Sequence, residues 1–241
     1  MPVVGKQNSL VVQCALPIEA RCVAARLRRA RRGSLGLFQA WEGMLGDVPV
    51  LVVVSGMGTM EAAIAASEVI RLFEPVGLVA FGAAGALSET WPIGKCALVR
   101  CAAAYQPPRL IPQPTPGAPR PTVAEAWSDG NWLKVGEDVL HLPMVRVGCA
   151  DPPVTNLHLA RYLAAAYGFD WVDCESYSVL DVAARHGVRA VGLRSVSDHC
   201  GPDAPKQFER NARRALRGAA KTLQQYVASL HKAGLLGPKP A

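Results

Sequence analysis

Two acidic residues stand where an α/β sheet commonly binds a small molecule. Glu175 opens a predicted helix directly after the short predicted strand 169–174. Asp198 follows the apolar segment 188–196, which predicts the last central strand. Ligands of open α/β sheets bind at the carboxyl ends of strands. The pattern raises the hypothesis that Glu175 and Asp198 face the same small molecule.

A third acid, Glu19, follows the first predicted strand, 10–16. Pro17 suits the first position of a helix that we predict over 18–32, so Glu19 falls in its first turn. A carboxylate at that position complements the helix dipole and needs no other purpose. A structural role and a catalytic role therefore both remain open for Glu19 at this point.

Small residues follow two further predicted strands. After strand 48–55 comes the turn Ser55-Gly56-Met57-Gly58-Thr59, ahead of an alanine-rich helix over 60–73. A strand, a glycine turn and a helix make a cradle for an anion or a ribose. Many such turns need glycine only for their backbone shape, so this motif is unspecific alone. The small residues at 82–86, after strand 76–81, allow a backbone to approach a ligand, or another element of the protein, closely.

Composition limits the class of protein. Half of the 241 residues are hydrophobic and 19% are charged, which is enough for a large core without a disulfide or metal. No apolar run is long enough to cross a bilayer, and residues 1–10 carry no secretory signal. The seven cysteines are scattered without a CxxC pair or metal-ligand spacing, which is typical of reduced thiols in a cytoplasmic protein. We expect no metal site and no membrane partner.

The net charge of +7 comes largely from two basic segments, 21–32 and 210–221. We interpret both as solvated faces of helices. No nucleic-acid-binding motif or interleaved aromatic residue accompanies them, so nucleic acid is not an expected partner.

Strands and helices alternate along the chain, which predicts an α/β fold with a twisted, mainly parallel central sheet flanked by helices in three layers. We expect one domain over residues 1–241. Further predicted elements are a strand at 38–42, which forms a hairpin with 48–55 or simply precedes it as a consecutive strand, and strands at 95–103 and 144–148. The remaining predicted helices are 155–167 (capped by Thr155), 175–186 and 203–232. The segment at about 106–131 carries seven prolines and predicts a long surface loop, with a lid as one hypothesis. Residues 235–241 predict a frayed tail.

Five motifs in order carry a family resemblance: Ala15-Leu16-Pro17-Ile18-Glu19, Ser55-Gly56-Met57-Gly58, Gly82-Ala83-Ala84-Gly85-Ala86-Leu87, Val172-Asp173-Cys174-Glu175 and Arg194-Ser195-Val196-Ser197-Asp198. Together they resemble the purine/uridine phosphorylase superfamily, and within it the methylthioadenosine/S-adenosylhomocysteine nucleosidases. The match runs from about residue 10 to residue 230. The resemblance implies a nucleoside phosphorylase-like fold, usually as a homodimer, acting on a purine nucleoside without a cofactor.

The resemblance also implies roles for single residues. Asp198 matches the general acid that protonates the purine, and Glu19 matches the acid that activates water. Glu175 matches the acid that binds the ribose hydroxyls. The other implied substrate-binding positions are Met57, Ala83, Cys174, Arg194 and Ser197.

These residue types suit cleavage of an N-glycosidic bond. The sugar becomes cation-like in the transition state, and the base leaves poorly unless it is protonated; general acid catalysis typically contributes about a hundred- to ten-thousand-fold. A carboxyl acting as general acid has to be held protonated by its surroundings, whereas one that activates water works ionised. Two carboxyls in opposite protonation states are the usual arrangement for glycosyl cleavage.

The choice between water and phosphate depends on cations. A phosphorylase needs arginines beside its glycine-rich turns to neutralise phosphate. Segments 15–20 and 81–84 carry none, Phe81 stands where a phosphorylase places a basic residue, and Arg21 follows Glu19 on the wrong side. The sequence therefore favours hydrolysis, with a phosphate-dependent phosphorylase or a non-catalytic nucleoside-binding protein as alternatives.

Some positions depart from the family pattern. Cys174 replaces the usual methionine beneath the ribose, Asp173 replaces a glutamate, Ala83 replaces a small polar residue, and no aromatic residue occurs at 150–153. These changes leave the reaction type intact. The 5′ substituent and the base of the substrate stay open.

Overall fold

The computed structural model describes residues 9–108, 110–112 and 119–237. Its strands are β1 Leu10–Cys14, β2 Arg28–Leu35, β3 Phe38–Leu45, β4 Val48–Val54, β5 Gly77–Ala86, β6 Cys96–Ala104, β7 Ala124–Trp127, β8 Met144–Cys149, β9 Trp171–Asp173 and β10 Ala190–Asp198. Its helices are α1 Pro17–Ala24, α2 Thr59–Phe73, α3 Gly130–Leu140, α4 Leu157–Tyr162, α5 Ser176–Arg185 and α6 Ala204–Lys232, and a π-helical turn, Leu163–Tyr167, continues α4.

The strands form one sheet that closes on itself at one end. β10 pairs with both β5 and β6, β8 joins β6 to β9, and β9 pairs back with β5. From β5 the sheet continues through β1, β4, β3 and β2. Five of the ten pairings among the described strands are parallel: β1–β4, β1–β5, β5–β10, β6–β8 and β8–β9. The α/β class is confirmed, and its sheet is evenly mixed where we predicted a mainly parallel one.

Helices cover both faces of the sheet, as the three-layer prediction requires. Val11 packs in a core with Val69 of α2 and Leu180 of α5. Its neighbour Val12 packs in a second core with Val23 of α1, Trp132 of α3 and Leu223 of α6. Successive side chains of a strand point to opposite faces, so a strand buried on both faces is an unbroken apolar run. That is why β1, β4 and β5 were readily predicted.

The predicted helix over 18–32 is wrong beyond Ala24. Residues Arg28–Leu35 form the edge strand β2, which pairs antiparallel with β3. Arginine has a good helix propensity, but tertiary pairing overrides it here. The arginines are held across the ladder: Arg31 Nε lies 3.1 Å from Glu42 Oε1, and the Arg32 guanidinium lies 5.6 Å from the centre of the Trp41 ring. Charged side chains on an edge strand also discourage pairing with other chains.

The proline-rich segment is shorter than predicted. Ala124–Trp127 forms β7 beside β6, and α3 begins at Gly130, capped by Asp129, whose Oδ1 accepts a hydrogen bond from Trp132 N at 3.0 Å. Residues 109 and 113–118, on which the lid hypothesis depends, lie outside the described residues.

Two further boundaries differ from prediction. The cap of α4 is Asn156, whose Oδ1 accepts from His158 N at 2.8 Å, rather than Thr155. The tail is anchored at its start, because Leu235 O accepts a hydrogen bond from Arg189 Nη1 at 2.8 Å. Residues 238–241 lie outside the described chain.

No helix in the described ranges has the length and apolar character that a membrane span requires. All seven cysteines are free, and five of them are buried.

Candidate active site

The three acids singled out in the sequence line one cleft. Glu19 comes from the start of α1, Glu175 precedes α5, and Asp198 ends β10. The cleft has a volume of about 110 Å³, and four other predicted residues also line it: Met57, Ala83, Cys174 and Ser197. Arg194, the remaining predicted residue, lies buried behind Glu175. The structure thus brings all eight positions together.

Glu19 is buried and held by backbone amides from two elements. Its Oε2 accepts a hydrogen bond from Leu16 N at 2.9 Å, and its Oε1 accepts one from Ala83 N at 2.9 Å. Burial raises the pKa of Glu19, while Arg194 and the amide donors act in the opposite direction. The amides fix the carboxyl in one orientation at the wall of the cleft.

Glu175 is anchored between a helix start and a cation. Its Oε1 accepts a hydrogen bond from Gly58 N at 3.1 Å, and its Oε2 lies 3.5 Å from Arg194 Nη2. Gly58 has a φ of 114°, a conformation that side-chain-bearing residues rarely adopt. Burial raises the pKa of Glu175 to about 7; Arg194 lowers it, whereas Asp173 and Glu19 raise it. Burial thus favours the protonated form of this carboxyl, and the guanidinium of Arg194 favours the carboxylate.

Arg194 connects the acids from below the cleft. Its Nε lies 2.8 Å from Asp173 Oδ2 and donates a hydrogen bond to Ser176 Oγ at 3.0 Å. The Ser176 hydroxyl in turn donates to Asp173 Oδ2. Burial opposes the charge of Arg194, but Asp173, Glu175 and Glu19 together raise the pKa of the guanidinium above its ordinary value. The cation is therefore committed to the protein's own carboxylates.

A glycine makes room for this convergence. A Cβ at Gly82 would lie 2.4 Å from Arg194 Nη1 and 2.5 Å from Glu19 Oε1. Only a residue without a side chain allows the guanidinium and the carboxyl to approach β5 so closely. The predicted close approach at 82–86 is thus made to protein side chains, within a strand rather than a turn.

Asp198 is half-buried at an irregular end of β10, where the register shifts between Val196 and Asp198. Its Oδ2 accepts a hydrogen bond from Ser197 Oγ at 2.8 Å, and its Oδ1 accepts one from Cys200 N at 3.1 Å. The Ser197 hydroxyl also lies 3.3 Å from Ala84 O. These contacts hold the carboxyl at the rim of the cleft, where it faces a larger chamber.

That chamber has a volume of about 610 Å³ and shares Leu16, Met57, Cys174, Asp198 and Phe208 with the cleft. Most of its exposed surface is apolar, and further wall residues are Tyr105, Ala150, Pro152, Val154 and Pro205. It is large enough for a nucleobase and an additional apolar group. Segment 150–153 contributes no aromatic side chain to the chamber, whereas Tyr105 and Phe208, from distant parts of the chain, line it.

Asp151 and Ser176 were missed by sequence reasoning. Asp151 Oδ2 accepts hydrogen bonds from Thr59 N at 3.0 Å and Thr59 Oγ1 at 2.8 Å, so it fixes the start of α2 next to Gly58. Asp151 follows the carboxyl end of β8, which is the signal that identified Glu175 and Asp198. Ser176 has no comparable signal, because its role depends on Arg194 reaching it from β10.

Cations are scarce around the cleft. None of the described residues that line it is an arginine or lysine. Arg21 lines a different cavity, and Phe81 is fully buried in the core. The carboxyls favour positive charge on a bound molecule, and no cation among the described lining residues can neutralise an incoming dianion.

A comparison of the sequence with known protein families finds a match over most of the chain. A model of the phosphorylase superfamily matches residues 9–230. The 5′-methylthioadenosine/S-adenosylhomocysteine nucleosidase of Shewanella baltica (strain OS155) is 25% identical over 207 residues, which cover 81% of this chain and 86% of the relative.

Two solved structures share the fold. Futalosine hydrolase of Helicobacter pylori has a TM-score of 0.81 at 17% identity and covers 92% of this chain and 98% of its own. The 5′-methylthioadenosine/S-adenosylhomocysteine nucleosidase of the same species has a TM-score of 0.81 at 18% identity and covers 94% of this chain and 100% of its own. With nearly its whole length matched by the family model, this chain belongs to the phosphorylase superfamily.

Proposed function

We propose that the protein is a nucleosidase that hydrolyses the N-glycosidic bond of a purine nucleoside. The observation that carries this proposal is the meeting of Glu19, Glu175 and Asp198 in a cleft without an arginine or lysine among its described lining residues. Relatives named as 5′-methylthioadenosine/S-adenosylhomocysteine nucleosidase and a structural neighbour named as futalosine hydrolase support the same reaction class.

In this proposal the ribose lies against Glu175. The carboxylate, held by Gly58 N and Arg194, accepts hydrogen bonds from the ribose hydroxyls. Its negative charge favours the cation-like sugar of the transition state. Cys174 and Met57 line the cleft beside it and contact the sugar.

Glu19 activates the water. With its two oxygens aligned by Leu16 N and Ala83 N, it takes a proton from a water molecule whose oxygen bonds to the anomeric carbon. As the bond to the base breaks, Asp198 delivers a proton to the imidazole nitrogen of the purine. Ser197 holds Asp198 in place. The products are the free base and the ribose with its 5′ substituent.

The substrate is an adenine-type nucleoside in this proposal, with the base beside Asp198. The apolar chamber receives the base and the 5′ substituent, since it shares Asp198 and Phe208 with the cleft. An apolar substituent suits these walls better than a charged one.

The working state that we propose is a cytoplasmic homodimer. Three large apolar side chains of α2 and the turn before it are exposed: Met57 by 56%, Met60 by 72% and Ile64 by 51%. Exposed apolar side chains clustered on one helix are a common feature of contact surfaces. Light scattering coupled to gel filtration tests the dimer directly, and a monomer at micromolar concentration contradicts the proposed dimer.

The decisive experiment for the reaction is base release from nucleosides that differ at the 5′ position, with and without inorganic phosphate. Hydrolysis predicts release in phosphate-free buffer and a free sugar as the second product. A strict requirement for phosphate, with a sugar 1-phosphate product, contradicts the proposal and selects a phosphorylase. Tight nucleoside binding without any release selects a non-catalytic binding protein.

A further inference from the structure

A second cavity, of about 700 Å³, lies between α1 and α6 and has no part in the proposed reaction. Four of its lining residues are arginines: Arg21, Arg26, Arg213 and Arg217. The others are Ile18, Cys22 and Ala25. No acidic residue is among the described residues that line it.

The helical spacing explains why these arginines converge. Positions 18, 21 and 22 lie on one stripe of α1, Ala25 caps the end of that helix, and positions 213 and 217 lie one turn apart on α6. Glu19 lies on another side of α1, in the wall of the catalytic cleft. The two cavities are therefore separate sites that share a helix.

The positive charge of this cavity is not neutralised by the described part of the chain. None of the four arginines takes part in an ion pair there. Arg26 Nε donates to the neutral Gln224 Oε1 at 2.7 Å, which orients the guanidinium and leaves its charge unpaired. By contrast, Arg28 and Arg31 of the adjacent strand β2 each face an acid.

The electrostatic environment of Cys22 indicates that arginines of this cavity lie close enough together to influence the same thiol. Burial and, more weakly, Glu19 raise the pKa of this thiol, whereas Arg217, Arg213 and Arg21 lower it. A half-buried point in the wall of the cavity is thus influenced by three guanidinium groups from two helices.

We propose that this cavity binds a small ligand carrying two or more phosphate groups. Guanidinium groups bind phosphate oxygens through paired, charge-assisted hydrogen bonds. Four unpaired arginines match a ligand of several negative charges better than a single phosphate. A volume of this size lies within the usual range of about 300–1,000 Å³ for small-molecule sites.

Calorimetric titration with inorganic tripolyphosphate tests the site, and orthophosphate serves as the singly phosphorylated comparison. We expect one tripolyphosphate per chain, with affinity that falls as salt is raised. The Arg213→Ala/Arg217→Ala variant should bind tripolyphosphate about a hundredfold more weakly, because we expect the loss of each arginine to weaken binding about tenfold. Circular dichroism and the melting temperature verify that this variant is folded.

The matched control is Arg210→Ala/Arg214→Ala, which removes the same charge from exposed positions of α6 outside the cavity. It should bind within about threefold of the parent protein, because only long-range charge is lost. Equal weakening in both variants overturns the proposal in favour of a diffuse basic surface.

Two further titrations distinguish a small phosphorylated ligand from the phosphate groups of a lipid surface or of DNA. Vesicles of phosphatidic acid and duplex DNA are titrated under the same conditions. Binding of either one without binding of tripolyphosphate overturns the small-ligand proposal. Displacement of DNA or vesicles by tripolyphosphate, lost in the Arg213→Ala/Arg217→Ala variant, supports it.

Discussion

Arg194 Nε lies 2.8 Å from Asp173 Oδ2, and only 2% of each side chain is exposed. Two charges removed from water need further hydrogen bonds to remain paired. Asp173 receives them from Glu175 N at 3.2 Å and Ser176 N at 3.1 Å. This ion pair therefore fixes the turn between β9 and α5, the turn that aims Glu175 into the cleft.

Replacing Arg194 with methionine tests how much this ion pair contributes to the stability of the fold. Asp173 would be left buried without its cation, which we expect to cost about 3–5 kcal/mol in the free energy of unfolding. Urea denaturation followed by circular dichroism measures this value. The control is Arg185→Met, which breaks the exposed pair with Asp181 and should leave the free energy of unfolding nearly unchanged. Similar costs in the two variants would show that the buried pair does not organise the turn.

Glu175 should make the stability of the fold depend on pH. Its pKa is raised from an ordinary value of 4.5 to about 7, chiefly by burial. The folded protein thus retains a proton that the unfolded chain has already lost, so stability falls as pH rises from 4.5 through 7. The contribution lost over that interval is about 3 kcal/mol. Urea denaturation at a series of pH values between 5 and 8 measures it.

The matched variants for this effect are Glu175→Gln and Glu68→Gln. The first removes the titrating group, and the slope of stability against pH should flatten. The second removes an acid paired with Arg71 on the surface of α2, and the slope should be unchanged. A Glu175→Gln protein with the full parental slope contradicts the assignment of this pH dependence to Glu175.

The acids of the site were predictable because local rules place them. Glu175 and Asp198 lie at carboxyl ends of strands, and Glu19 follows Pro17 at a helix start; both signals depend on neighbours in sequence. The apolar strands were predictable for the same reason, since burial on both faces produces a continuous hydrophobic run. What the sequence showed was thus the position of each carboxyl on its own element.

The parts that were not predictable depend on contacts between distant segments. Phe208 reaches the cleft from α6, and Tyr105 reaches the chamber from the end of β6. Residues 28–32 of strand β2 were predicted as the end of a helix, and arginine does favour helix locally, but the pairing of this segment with β3 decides the structure. The mixed sheet was missed because the direction in which distant strands pair is not a local property of either strand: β6 pairs antiparallel with β10, and β9 pairs antiparallel with β5.

A methyl group at Gly85 should disturb Asp198. A Cβ there would lie 2.4 Å from Cys200 Sγ and 3.0 Å from Asp198 Oδ1, so the Gly85→Ala side chain displaces the loop that holds the carboxyl. We expect kcat to fall by about a hundredfold, comparable to loss of general acid catalysis. Base release from the best nucleoside substrate measures the effect.

The rescue of this variant identifies its cause. Cys200→Ala removes the sulfur atom that the new methyl group meets first, so the Gly85→Ala/Cys200→Ala protein should recover part of the lost activity. Gly46→Ala is an unsuitable control because Gly46 has a φ of 65°, but Gly130→Ala meets nothing within 4 Å and should leave kcat unchanged. No recovery in the double variant would mean that the loss at Gly85 has another origin.

Neutral variants of the two proposed catalytic acids should differ in whether an activated substrate restores their activity. Glu19→Gln keeps the acceptor for Ala83 N but removes the base that deprotonates water, and Asp198→Asn removes the proton donor to the purine. Each should lower kcat by about a hundred- to ten-thousand-fold while nucleoside binding, measured by calorimetry, is retained.

Substrates whose leaving group needs no protonation, such as a nitrophenyl riboside, should restore activity to Asp198→Asn and not to Glu19→Gln. Asp203→Asn, at an exposed position before α6, is the control and should leave kcat unchanged. Equal rescue of both variants, or of neither, would contradict the division of roles between Glu19 and Asp198.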